Sequence, residues 1–255
     1  MAQKNSTIFE PQLLPGLLRE SLTVLELPRL AWALPNLLAQ PRGNGEPVLV
    51  LPGFSSSDTS TIPLRSYLSV LGYEVRGWGL GVNRGDVRTL VPRVIDIALR
   101  WAQQSGQRVR LIGWSLGGVL ARETAREKPD SIERVITLGT PVVGGPKYTT
   151  AARVYRRRGH DLDAIEESVA ERNRIPIDVP ITAIYTRGDG VVAWQACIDD
   201  TSPGIEHCEI TSTHIGLGIS AEVYRIIAQR LARSRNTMGP ANHGGEQAAC
   251  EPIEW

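Results

Sequence analysis

Apolar positions along this chain follow two alternating patterns. Short, almost continuous apolar runs rich in β-branched residues occur at Val48–Leu51 and Ile181–Tyr185, and similar strand patterns at 73–80, 108–115, 132–141 and 206–214. Runs of this kind are expected of strands buried on both faces. Between them lie segments with apolar residues at helical spacing: 85–106, 116–129 and 220–234. Over residues 73–141 strand and helix patterns alternate, which predicts parallel βαβ units, and hence an α/β fold with a mostly parallel central sheet flanked by helices. In the first long helical segment Pro92 is expected within about the first turn, where proline is tolerated, and Gly106 at the C-terminal cap.

Three stretches depart from this rhythm. Residues 10–40 repeat Leu-rich runs interrupted by Pro15, Pro28 and Pro35, which predicts two or three short helices. Residues 146–178 are polar, charged and helix-prone, and fall between two core strands as a small cap insertion would. From Asn236 the tail has little apolar periodicity. The expected organisation is therefore a helical N-terminal extension over 1–45, a core over 46–235 containing the cap, and a loose C-terminal tail over 236–255.

Composition narrows the function classes. With 255 residues and 42% apolar content the chain can bury one sizeable core. Its net charge of +1 leaves no electrostatic footprint for nucleic acid, which is not an expected partner. Arg19, Glu20, Glu26 and Arg29 interrupt the Leu-rich region, so no stretch reaches the roughly 18–20 apolar residues that span a bilayer. The first residues show no signal-peptide pattern, and a cytoplasmic location is the expectation. Cys197, Cys208 and Cys250 show no metal spacing and are expected as reduced, inert thiols, a Cys197–Cys208 disulfide being the alternative. The Leu-rich segment can either pack on the core or offer peripheral contact to lipid.

The candidate chemistry begins at Gly113-Trp114-Ser115-Leu116-Gly117, between a strand pattern and a helix pattern. A serine in a sharp strand-to-helix turn exposes its hydroxyl above the sheet, and glycines on either side permit that turn. Such a nucleophile needs an acid and then a histidine later in the chain, each just beyond a strand. Asp189, between Gly188 and Gly190 after the run Ile181–Tyr185, is the expected acid, and His214, after the last strand pattern, the expected base. Asp161, Asp163, Asp199 and Asp200 lack a preceding strand to aim them; His160 lies in the charged insertion, His207 within or before the last strand pattern and His243 in the tail. Gly53 ends the first core strand and allows close backbone approach, so the N–H groups of Phe54 and Leu116 are expected to form an oxyanion hole.

These segments resemble the α/β-hydrolase superfamily, and within it bacterial lipases and esterases of the triacylglycerol lipase type: Val-Leu-Val-Leu-Pro-Gly-Phe the oxyanion strand and loop, Gly-Trp-Ser-Leu-Gly-Gly the nucleophile elbow, Thr-Leu-Gly-Thr-Pro-Val-Val-Gly-Gly the following strand, Arg-Gly-Asp-Gly-Val-Val the acid loop and Ser-Thr-His-Ile-Gly-Leu-Gly the histidine loop. The match covers about residues 46–233, and departs where Pro52-Gly53 replaces a common His-Gly pair. It implies a serine hydrolase cleaving small-molecule or lipid esters, with no cofactor and no metal. An acyltransferase using the same three residues, or a non-catalytic binding protein on the same fold, are the alternatives. Trp114 and Trp194 are placed as substrate-pocket candidates. The cluster Arg153, Arg156, Arg157 and Arg158 reads either as a clamp for an acidic substrate group or as a solvated helix face.

Overall fold

A computed structural model of the protein describes residues 18–234. The core sheet holds six strands: β1 (Pro47–Leu51), β2 (Glu74–Gly77), β3 (Val109–Trp114), β4 (Ile132–Leu138), β5 (Ile181–Tyr185) and β6 (Glu206–Glu209). They are ordered β2-β1-β3-β4-β5-β6, and every neighbouring pair is parallel. The helices are α1 (Glu26–Leu38), α2 (Ile62–Val70), α3 (Val87–Ser105), α4 (Leu116–Glu127), α5 (Ala152–Arg157), α6 (Leu162–Asn173) and α7 (Ala221–Leu231).

Strand side chains alternate between faces, and that period sorts the core into two layers. Val48, Val50, Ile112 and Ile136 pack with Leu64 and Leu68 of α2, Ile227 of α7 and Leu37 of α1. Leu49, Leu51, Leu111 and Val135 face the other way, onto Val94 and Ala98 of α3 and Leu120 of α4. The result is a three-layer α/β sandwich, with the C-terminal ends of all six strands at one edge. Ligands of open parallel sheets bind at this edge.

Two prolines behave differently from expectation. Pro92 is the sixth residue of α3, past its first turn, and Pro35 lies inside α1 without breaking it. Each leaves the carbonyl four residues earlier without its helical partner, but Arg88 and Ala31 are exposed, so water can take over. Residues 26–38 therefore form one helix rather than separate pieces, with Pro28 in its first turn, where no N–H is required. Pro15 and the tail from Asn236 lie outside the described residues. The cysteine expectation also needs correction. Cys197 is a free buried thiol, so the pair with Cys208 is not made, yet Cys208 is disulfide-bonded. Sequence spacing carries no information on which thiols meet.

The segment 18–38 keeps only a thin inner face on the core. Glu20, Glu26 and Leu37 are buried, while Leu18, Leu22, Val24, Leu25, Leu27, Trp32, Leu34 and Leu38 are exposed. No helix among the described residues is long and apolar enough to cross a membrane.

Candidate active site

Ser115 stands between the last residue of β3 and the first of α4, with φ 54° and ψ −121°. Among the described residues only Ser55 is another non-glycine with positive φ. Such backbone costs energy and persists where surroundings over-determine it. Here they do: the Ser115 N–H donates to the Leu138 carbonyl at 2.7 Å, and the Ser115 carbonyl accepts from Gly118 N–H at 2.9 Å and Thr140 Oγ1 at 3.0 Å. The glycines of the motif are required by contact. A Cβ on Gly113 would stand 2.4 Å from the Gly117 carbonyl oxygen, and one on Gly117 would stand 2.2 Å from that of Leu51.

Asp189 follows β5, and its two oxygens are used differently. Oδ1 accepts the N–H groups of Val191 at 2.8 Å and Val192 at 2.7 Å, which fixes the carboxylate; Oδ2 lies 2.7 Å from His214 Nδ1. Both side chains are buried, Asp189 to 1% exposure. Burial by itself lowers the His214 pKa by favouring the neutral ring, but the charge and hydrogen bond of Asp189 and the charge of Glu20 outweigh it, and the net shift is upward. The two loops are also pinned to each other: Thr186 Oγ1 donates to the Ser212 carbonyl at 2.9 Å.

Ser115 and His214 line one cleft of about 1110 Å³ between the sheet edge and the α5–α6 cap, together with Gly53, Phe54, Trp114 and Leu116. Among the described residues, neither the Phe54 nor the Leu116 N–H has a protein acceptor. Leu116 is the first residue of α4, whose N–H has no intrahelical acceptor, and Phe54 is half-buried; two such N–H groups at one cleft wall beside a serine suit a developing negative charge. Gly53 packs against this point, since a Cβ there would lie 3.3 Å from Ser115 Cβ.

The remaining candidates divide. Trp114 lines the cleft and its Nε1 donates to the His214 carbonyl at 3.2 Å, so it also holds the histidine loop. Trp194 does not line the cleft: its indole stacks on Tyr185 with Arg187 over its face at 4.6 Å, because the short turn after the acid loop carries it away. Of the arginine cluster only Arg158 lines the cleft, while Arg153, Arg156 and Arg157 are exposed. Three of the four competing acids are engaged elsewhere, and Asp200 is exposed. Asp161 caps α6, Asp163 pairs with Lys147 at 2.5 Å and Asp199 pairs with buried Arg122 at 2.5 Å. His207 Nε2 accepts the Asp199 N–H at 3.1 Å.

Two residues at the site escaped sequence reasoning. Asn83 is fully buried, donates to the Pro52 carbonyl at 2.9 Å and brackets Ser55 and Ser56 through its backbone at 2.8 Å each, so it shapes the loop bearing Phe54. Glu20 accepts from the N–H groups of Gly190, His214 and Ile215 at 2.8–3.0 Å. The only sequence signal for the latter was a pair of acidic residues, Glu20 and Glu26, within a Leu-rich run.

No protein-family model matches the chain, and no curated protein matches its sequence. Solved structures do. A metagenome-derived lipolytic enzyme is similar over 75% of this chain and 94% of its own at 16% identity and a TM-score of 0.58. A monoacylglycerol lipase from Paleococcus ferrophilus is similar over 74% and 96% at 16% identity and a TM-score of 0.52. A lipase-esterase related protein from Clostridium acetobutylicum is similar over 76% and 96% at 15% identity and a TM-score of 0.55. The chain has the α/β-hydrolase fold.

Proposed function

We propose that this protein is a serine hydrolase of carboxylic esters, working through Ser115, His214 and Asp189 and an acyl-enzyme intermediate. The Asp189–His214 contact of 2.7 Å, beside a cleft that displays Ser115 on a strained turn, carries the proposal. With Nδ1 engaged by Asp189, Nε2 is the ring nitrogen left for proton transfer. It takes the Ser115 Oγ proton as Oγ bonds to the ester carbonyl carbon, and the carbonyl electron pair moves onto oxygen. That oxyanion receives hydrogen bonds from the N–H groups of Phe54 and Leu116. Collapse breaks the bond to the alcohol, which leaves with the proton from Nε2. Water then attacks the acyl-enzyme with its proton passing to the same nitrogen, and breakdown releases the carboxylic acid and returns the proton to Ser115.

Part of the cleft wall supports an apolar substrate group: Val87, Val91, Val154, Ile165 and Val169 line it, alongside charged side chains such as Arg84, Arg158 and Arg172. Lipolytic enzymes and esterases among the structural neighbours support ester chemistry as well, though through the fold alone. The test is hydrolysis of p-nitrophenyl esters from two to sixteen acyl carbons by wild type and Ser115→Ala. Turnover lost by a factor of about 10³ or more in a folded mutant is expected. A mutant as active as wild type, or a folded wild type inactive on every ester, overturns the proposal.

A further inference from the structure

The strongest unassigned feature is a buried carboxylate that belongs to neither loop of the proposed site but touches both. Glu20 is 7% exposed and immediately precedes the 3₁₀ turn Ser21–Leu25. Its Oε1 accepts the N–H of Gly190, next to Asp189, at 2.9 Å and that of His214 itself at 3.0 Å; its Oε2 accepts from Ile215 at 2.8 Å. Burying an ionised group is costly unless it is hydrogen-bonded, and charge-assisted bonds to backbone N–H are among the strong ones. Here one carboxylate ties together the two chain segments that hold the acid and the base. Neighbouring contacts pin the same strap: Thr23 Oγ1 and Thr213 Oγ1 are 2.6 Å apart, and Ser212 Oγ donates to Glu26 at 3.0 Å.

We propose that Glu20 is a positioning residue, clamping the Asp189 and His214 loops in register and placing a second negative charge near the imidazole. Resting on the hydrolase assignment for its kinetic consequence but not for its geometry, the clamp makes the segment 18–25 an integral part of the site. The charged groups acting on the His214 ring are Asp189, from the loop after β5, and Glu20, from the strap. Glu26 acts one step away, through Ser212. Both Asp189 and Glu20 favour the imidazolium, so removing the Glu20 charge lowers the pKa of His214.

The test compares Glu20→Gln with Glu26→Gln, a strap variant that keeps the Glu20 clamp. His214 is titrated by NMR of its ring nitrogens, and kcat, KM and the pH–rate profile are measured on a p-nitrophenyl ester. Glu20→Gln is expected to lower the His214 titration by about half a pH unit and kcat on the order of tenfold, with KM little changed. Glu26→Gln is expected to lower Tm without moving the titration. Glu20→Asp keeps the charge but withdraws it by one methylene, and is expected to lose kcat with a smaller pH shift. If Glu20→Gln lowers Tm but leaves the titration in place, or if Glu26→Gln shifts it equally, the clamp is ordinary packing and the proposal fails. Should Glu20→Gln not fold, an unchanged kcat in Glu20→Asp overturns it. A wild type that hydrolyses no ester defeats the hydrolase proposal alone, because the NMR titration still reads Glu20.

Discussion

Asp189 divides its work between two oxygens, and that division fixes what His214 can do. Oδ1 is committed to Val191 and Val192, so Oδ2 must accept from Nδ1–H, which leaves Nε2 unprotonated in the neutral ring. In Asp189→Asn the same two N–H groups would hold the amide oxygen and turn the amide nitrogen toward Nδ1. The imidazole would then carry its proton on Nε2 and could not accept one from Ser115. In Asp189→Asn kcat is expected to fall by about 10³–10⁴ with KM little changed, and a loss under tenfold in steady-state kinetics would contradict this role. The pH dependence follows from the same contact. A base works only when neutral and the His214 pKa is raised, so the acid limb of kcat/KM in wild type is expected above the 6.5 of a free imidazole. The linked stability has the opposite sense: it is fully present below the unfolded pKa and is lost as pH rises through the folded one.

The elbow shows how much of an element is decided by backbone contact. Gly117 brings the first turn of α4 against the end of β1, and a methyl group there would meet the Leu51 and Pro52 carbonyls. Gly117→Ala is expected to cost about 2–4 kcal/mol and to displace the Ser115 turn, read as a lower denaturation midpoint with lost ester hydrolysis. Wild-type stability would show that the turn can give way. This element was legible because its requirements are local: a strand pattern, glycines at fixed offsets and a helix pattern. The strands before Asp189 and His214 were legible in the same way. Glu20 and Asn83 were not, because each acts on chain far from itself, and an acidic residue in a Leu-rich run looks the same whether it faces water or a buried loop. Pro35 and Trp194 went astray for a related reason. Propensity and spacing do not say whether water can satisfy a freed carbonyl, or where a turn sends a side chain.

At the scale of the molecule, three parts meet at the C-terminal edge of the sheet. The sheet-end loops supply Ser115, Asp189 and His214; α5 and α6 line the cleft, α5 and the residue after it being held by Tyr155 Oη to the Gly85 carbonyl at 2.9 Å and Arg158 to the Arg84 carbonyl at 2.8 Å; the strap ties the acid and histidine loops through Glu20. The placement of the first of these followed from the sequence, since parallel alternation brings the strand ends to one edge whatever their distance in sequence. All three matter only if Ser115 is a nucleophile activated by His214. The most direct test is reaction with a fluorophosphonate probe, read by intact mass and peptide mapping in wild type, Ser115→Ala and His214→Ala. One adduct on the peptide containing Ser115, absent in Ser115→Ala and slowed by at least about a hundredfold in His214→Ala, is the expected result. A folded wild type that stays unlabelled, or labelling that survives the loss of Ser115, would contradict the account.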